Sequence, residues 1–184
     1  HQTKTPITNI LLYTQLLQEC GLDGESRELA EQIMRQSERL RFLVEALVKA
    51  SRLENGLVAV RPARYPLAEL CGRLAQDLES RAREKRVEMI WDIPPDIVCR
   101  YDPKWTGEAL ANLLDNAVKY TPAGGRVTIS VQLYELFCRI DVEDTGPGIP
   151  EEEFNRLFQR FYRGSSAYDA EGVGIGLYLT RQIA

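Results

Sequence analysis

The chain has 184 residues, 44% of them hydrophobic and 27% charged, with a net charge of −4 at neutral pH. That is enough for one large or two small domains of ordinary soluble composition. Acids and bases are interspersed, no apolar run reaches the length of a membrane span, and there is no signal-peptide pattern. A broad nucleic-acid surface, a spanning segment and a secretory leader are therefore not expected.

The first stretch, "TNILLYTQLLQ", places Ile7, Ile10, Leu11 and Leu17 at helical spacing. "CGLDGES" supplies turn residues, and Ser26 is the expected cap of the next helix. There Leu29, Ile33, Leu40, Leu43, Leu47 and Ala50 nearly complete a four-three seam, interrupted by Gln36, and Asn55-Gly56 ends it. Two amphipathic helices joined by a short turn form a hairpin. Its long apolar stripe predicts a homodimer, two hairpins making a four-helix bundle.

After Gly56 the pattern changes, and a domain boundary is expected between Gly56 and Pro66. "LVAVRPARYP" reads as a short extended piece, residues 67–85 as a helix, and "VEMIWDI" and "IVCRY" as strands. Asp102-Pro103 is a helix start, a capping carboxylate followed by proline, and that helix runs to about Tyr120. "GGRVTISVQLYELFCRIDVED" alternates like two paired strands, and a last helix begins near Gly174. The cysteines Cys20, Cys71, Cys99 and Cys138 are far apart in sequence with no CxxC pair, and His1 is the only histidine. Reduced thiols in a cytoplasmic protein are expected, and no zinc site. The chain starts without methionine and ends in the apolar "GLYLTRQIA". Both ends read as cuts through a longer protein.

Three pieces can carry chemistry. Asn112, Asn116 and Lys119 share one helix face, where amide oxygens suit a hard cation and the ammonium suits phosphate. On its own such a stripe is more often a plain solvated face. "DTGPGIP", Asp144 to Pro150, follows an apolar strand. Asp144 could accept from the exocyclic amine of a base, and glycines let backbone approach a ligand, although a tight turn explains the same residues. "GVGIGL" opens a helix without a preceding strand, which excludes a Rossmann unit but offers amides to phosphate. Arg160 and Arg163 in "FNRLFQRFYRG" could meet anionic oxygens or stay solvated.

In order and spacing these pieces closely resemble the sensor histidine kinases of two-component signalling. "HQTKTPIT" looks like the phosphoacceptor box, "NLLDNAVKYT" the asparagine box, "DTGPGIP" the first glycine box, "FQRFYRG" the phenylalanine box and "GVGIGL" the second glycine box. The resemblance implies an α+β protein with two domains. A dimerisation and histidine-phosphotransfer hairpin spans residues 1–60. An α/β sandwich ATP-binding domain spans 61–184, its last strands missing. It implies ATP and Mg2+ as cofactors, and a second copy and a response regulator receiver domain as partners. The location implied is the cytoplasmic portion of a membrane sensor. His1 would be phosphorylated and Thr5 would matter for the reverse phosphatase step. Asn116 would hold magnesium with Asn112 alongside, Lys119 would contact phosphate, and Tyr120 would lie near the adenine. Asp144 would bind the adenine amine, with Gly146 and Gly148 shaping that pocket. Arg163 and the glycine loop of Gly172, Gly174 and Gly176 would face the phosphates, and residues 163–172 would form a lid over ATP.

Two departures matter. The family carries an acidic residue directly after the histidine, where this chain has Gln2, which cannot act as a base at neutral pH. The family also continues past the last helix with further strands. Pro6 removes the helical hydrogen bond to the carbonyl of Gln2, so a bend is expected within one turn of His1; a proline in a first helical turn is the simpler alternative. Two other functions compete with the kinase. One is an ATP-binding dimerisation module acting mainly as a phosphatase, which Gln2 favours. The other is an ATPase of the gyrase, chaperone and mismatch-repair class. That class activates water with a glutamate where this chain has Asn112, which cannot be a base.

Overall fold

The computed structural model describes residues 4–164 and 174–184, and of residues 4–6 the backbone alone. The chain divides into two units, His1–Asn55 and Gly56–Ala184.

The first unit is the expected hairpin, α1 (Lys4–Glu19) and α2 (Gly24–Glu54). Pro6 falls in the first turn of the described helix, while His1 and Gln2, and with them the expected bend, lie outside the described residues. The start of α2 differs from expectation. Asp23 is the cap, accepting from the Ser26 N–H at 2.8 Å, so the helix begins at Gly24 and Ser26 lies inside its first turn. A carboxylate is a stronger acceptor for a free helical N–H than a hydroxyl, and it favours the positive end of the helix dipole. At the far end Asn55 closes the helix, its side-chain amide donating to Ser51 O at 2.7 Å.

The buried residues of the hairpin are mostly small: Ala30, Ser37, Ala46 and Ala50 on α2, with Ile7 and Thr14 on α1. The Thr14 hydroxyl donates to Ile10 O at 2.7 Å, so its burial leaves no polar group unpaired. The large side chains of the predicted seam stay outside: Leu29, Ile33, Leu40 and Leu47 are all exposed, as are Ile10 and Leu17.

The second unit is a two-layer α/β domain. A three-stranded sheet has the order β2 (Glu88–Asp92), β4 (Arg126–Leu133), β5 (Cys138–Asp144), with β2 and β4 parallel and β4 and β5 antiparallel. A separate ribbon pairs β1 (Ala63–Pro66) with β3 (Val98–Tyr101), antiparallel, Arg64 opposite Arg100. Helices α3 (Leu67–Lys85) and α4 (Pro103–Tyr120) pack on each other and on the sheet. Their inward faces, Leu70, Leu74 and Leu78 from α3 and Leu110, Leu114 and Ala117 from α4, meet Val127 and Ile129 of β4 in one core. Apolar residues three and four apart on each helix meet alternating ones on the strand. The short helix α5 (Gly176–Ile183) packs on α4, where the Thr180 hydroxyl meets Ala109 O at 3.4 Å.

The ends of α4 are fixed from elsewhere in the unit. At its start Asp102 Oδ1 accepts from the N–H groups of Lys104 (3.0 Å) and Trp105 (3.3 Å), while Oδ2 accepts from Arg61 N–H at 2.8 Å. The Arg61 bond first, and the two helical amides with it, hold the Asp102 carboxyl below the usual carboxylate range. At its end the Lys85 ammonium donates to the carbonyls of Val118 (2.9 Å) and Lys119, a cation on the negative end of the helix dipole. No described helix is long and apolar enough to cross a membrane.

Candidate nucleotide-binding site

The polar stripe of α4 is a surface facing two glycine turns. Asn112, Asn116, Lys119 and Tyr120 are all half-buried, opposite the core face of Leu110, Leu114 and Ala117. The Asn112 amide nitrogen is buried and has no hydrogen-bond acceptor among the described residues. A buried donor left unpaired is costly, and a ligand oxygen would relieve it. Gly176, the first residue of α5, lies against this side chain; a Cβ there would stand 3.4 Å from Asn112 Oδ1.

The second turn meets the other end of the same stripe. Strand β5 ends at Asp144, whose Oδ1 accepts from the Gly146 N–H at 2.8 Å. A Cβ on Gly146 would fall 2.6 Å from Asp144 Oδ1 and 3.1 Å from Tyr120 O. Only glycine fits between the carboxylate and the last turn of α4. Gly148 serves differently: it has φ of 72° with open space around it, so its role is conformational.

Three residues that the sequence reading passed over hold this turn. Thr121 is wholly buried, its hydroxyl donating to Ala117 O at 2.7 Å. Thr145 Oγ1 accepts from Arg126 N–H at 2.9 Å, and Thr145 N–H donates to Arg126 O at 3.0 Å. Gly125 lies between the two threonines, where a Cβ would meet Thr121 Cγ2 at 2.5 Å and Thr145 Oγ1 at 2.7 Å. The threonine after "D" in "DTGPGIP" was the available signal.

The approach to α5 is also close-packed. Gly174 has φ of 73°, and a Cβ there would come 2.5 Å from Tyr162 O, so both conformation and space require glycine. Arg160 donates to the Tyr178 hydroxyl at 3.1 Å, with its guanidinium 4.9 Å from that ring, so it braces α5. Arg163 is half-buried nearby in the chain. The Glu153 carboxylate, also buried and also missed, stands against Gly164. Lys119 Nζ lies 5.0 Å from the centroid of the Tyr120 ring. Of the remaining expected site residues, His1, Gln2 and Gly172 lie outside the described residues, and Thr5 is described by its backbone alone, in α1.

The arrangement therefore joins an amide face, a carboxylate at a strand end and two glycine turns around one helix. It suits a base at Asp144 and an anion at Asn112 and Gly176. For a magnesium nucleotide the donor set fits. Asn116 and Asn112 offer neutral amide groups four residues apart on one face, and the unpaired Asn112 donor matches a phosphate oxygen.

This is the arrangement of a nucleotide-binding α/β domain that follows a helical hairpin. Residues 1–56 match the His Kinase A (phospho-acceptor) domain, and residues 101–184 match the histidine kinase-, DNA gyrase B-, and HSP90-like ATPase family. The adaptive-response sensory kinase SasA of Synechococcus sp. (strain JA-3-3Ab) is 33% identical over 190 residues, covering 100% of this chain and 50% of that protein. The signal transduction histidine-protein kinase/phosphatase MprB of Mycolicibacterium smegmatis is 34% identical over 194 residues, covering 100% of this chain and 38% of that protein. Among solved structures, full-length ShkA in complex with AMPPNP aligns with a TM-score of 0.82 at 26% identity, over 100% of this chain and 38% of that one. The Acinetobacter baumannii histidine kinase AdeS aligns at 0.73 and 26%, over 100% and 85%. The chain belongs to the sensor histidine kinases. It spans half or less of the length of these curated relatives.

Proposed function

We propose that this chain is the cytoplasmic catalytic core of a sensor histidine kinase. It uses Mg-ATP to phosphorylate His1 and passes the phosphoryl group to an aspartate of a response regulator receiver domain. The observation that carries the reading is the convergence of the Asn112 amide, the Asp144–Gly146 turn and the Gly174–Gly176 turn on one face of α4. The AMPPNP bound by ShkA and the phospho-acceptor match over residues 1–56 support the same assignment.

Each residue then has a task. Asp144, held by the Gly146 N–H, accepts from the adenine amine, with Tyr120 beside the base. Gly148 shapes the same pocket. Asn116 holds the magnesium ion through its side-chain oxygen, with Asn112 alongside. Lys119, Arg163 and the amides of the loop from Gly172 to Gly176 balance phosphate charge. Bound Mg-ATP supplies the γ-phosphoryl group. His1 supplies the nucleophile, the lone pair of a neutral imidazole nitrogen. Gln2 orients that ring without acting as its base. Thr5, four residues further along the sequence, serves the reverse phosphatase step. Residues 1–60 form the dimerising and phosphotransfer domain of a homodimer, and residues 61–184 the ATP-binding domain.

A second reading, in which dephosphorylation dominates, is favoured by Gln2. Autophosphorylation separates the two. The test is incubation of the dimeric protein with labelled ATP and magnesium under single-turnover conditions. Acid-labile, base-stable label should appear on His1 alone, and His1→Gln should abolish it while ATP binding survives. Label persisting in His1→Gln would overturn the phosphoacceptor assignment. Gln2→Glu should speed the reaction on the order of tenfold, about 1.4 kcal/mol of barrier. An unchanged rate would place the proton acceptor elsewhere.

A further inference from the structure

The last turn of α4 carries two of the expected site residues, Lys119 and Tyr120, and its carbonyls need donors from outside the helix. The sequence itself orphans one of them. Four residues after Val118 comes Pro122, which has no N–H to give the Val118 carbonyl. Ala117 O is satisfied by Thr121, through its N–H at 3.0 Å and its hydroxyl at 2.7 Å. Val118 O and Lys119 O are both taken by the ammonium of Lys85, at 2.9 Å for Val118. Lys85 is the final residue of a different helix, α3.

Lys85 is itself held in place. Arg86, which closes α3, has a left-handed backbone with φ of 58°. Its carbonyl accepts from Gly124 N–H at 2.8 Å, and Glu88 N–H donates to Gly125 O at 2.9 Å. The chain leaving α3 is thus stitched to the chain leaving α4, and the half-buried Lys85 side chain spans from one helix end to the other. On the far side of that last turn, Tyr120 O faces Gly146, where a Cβ would come within 3.1 Å of it. Gly146 N–H in turn donates to Asp144. The peptide group whose oxygen Lys85 holds joins Lys119 to Tyr120, so fixing it fixes the backbone of both.

We propose that Lys85 is a positioning residue for nucleotide binding. Its ammonium replaces the N–H that Pro122 lacks and holds the last turn of α4 in the form that presents Lys119 and Tyr120 to the ligand. Lys85 touches no ligand itself, and its role rests on the nucleotide-binding reading of this helix face. Two properties of the side chain are used: several donors, so that one group serves two carbonyls, and a positive charge at the negative end of the α4 dipole. A neutral apolar side chain of similar length supplies neither. Without Lys85 the two carbonyls turn toward water, and Lys119 and Tyr120 lose their fixed placement with them.

The experiment is ATP binding by calorimetry in the presence of magnesium, on the whole chain and on Lys85→Met, Lys85→Gln and Lys85→Arg. A urea melt of each protein establishes that it is folded under the conditions of binding. Arg81→Met is the control: Arg81 lies one turn earlier on α3 and pairs with Asp115 of α4, before the last turn. Lys85→Met should bind ATP roughly tenfold more weakly than wild type. Lys85→Gln, which keeps a donor without the charge, should fall between, and Lys85→Arg should restore the affinity. Arg81→Met should leave it unchanged. Wild-type affinity in Lys85→Met would overturn the proposal, and so would an equal loss in Arg81→Met, which would make the effect one of helix packing. Should Lys85→Met fail to fold, Lys85→Gln against Lys85→Arg makes the same comparison, and equal affinity in those two overturns it. A wild-type chain that binds no Mg-ATP would overturn the nucleotide-binding reading itself, and the role of Lys85 with it.

Discussion

The buried amide of Asn112 and the first residue of α5, Gly176, lie side by side: a Cβ on Gly176 would touch Asn112 Oδ1 at 3.4 Å, and Asn112 Nδ2 has no acceptor among the described residues. A donor held unsatisfied lowers stability in favour of binding. Asn112→Leu should therefore stabilise the ATP-binding unit, by about 1 kcal/mol. The same substitution should weaken ATP binding roughly tenfold or more, about 1.4 kcal/mol. Paired denaturant titration and calorimetry check this; loss of stability with unchanged affinity would refute the role.

Gly146→Ala should damage both fold and ligand. The added methyl must displace the Asp144 carboxylate or the Tyr120 carbonyl, since it would come 2.6 Å from one and 3.1 Å from the other. Overpacking of this kind costs about 1–3 kcal/mol. Asp144→Asn, which leaves space unchanged, should weaken adenine recognition alone. Melting curves and calorimetry on both variants separate packing from recognition.

Asp102 links two segments, since one oxygen caps α4 and the other holds the Arg61 amide. Asp102→Ala should cost about 1 kcal/mol or more. Its folded pKa is depressed, so the stabilisation is full above the ordinary carboxylate range. It is lost as pH falls through the lowered folded value. Asp102→Asn should keep part of the cap and flatten that acid limb. Urea melts of the three proteins from pH 7 down to about pH 3 provide the measurement.

The exposed seam on α2 predicts self-association. Ile33 and Leu40 are 47% and 46% exposed in the single chain, far more than core residues of a helix would be. Ile33→Lys combined with Leu40→Lys should yield a monomer by sedimentation, with the hairpin still helical. A dimer that survives both charges would place the interface elsewhere.

Most of the architecture was readable because it rests on local rules. The limits of α3 and α4 follow from apolar spacing and from the Asp102-Pro103 start, and the β4–β5 alternation marks a hairpin. What escaped depends on contacts remote in sequence. Asp23 is the cap in place of Ser26 because its carboxylate takes the N–H of Ser26 itself, which starts the helix at Gly24 and leaves Ser26 inside the first turn. The ribbon of β1 and β3 needs a partner across α3, and the packing of Cys71, Cys99 and Cys138 on one core needs the whole unit. At the site, Asn112, Asp144 and the glycines of both turns were legible as motifs. The support from Thr121 and Glu153 was not, since a buried threonine or glutamate has no distinctive spacing.

The strand pattern carries a consequence for the order of assembly. β4 and β5 are neighbours in sequence, and Tyr134 and Phe137 stack at 4.5 Å across their connection, so this pairing closes a short loop. Hairpins of this kind form in about 1–10 μs. β2 meets β4 only after β3 and α4 have been threaded between them, a non-local step with a larger closing entropy. The carboxylate at Asp144 is therefore in place on its strand before α4 arrives with Asn112 and Tyr120, and the ligand pocket is the last part to close. Kinetic φ-values should be high for substitutions at Ile140 and Val142 and low for those at Leu114 and Ala117. The binding surface then sits on the late-forming seam of the unit, where local opening costs least and a bound nucleotide has the most to add.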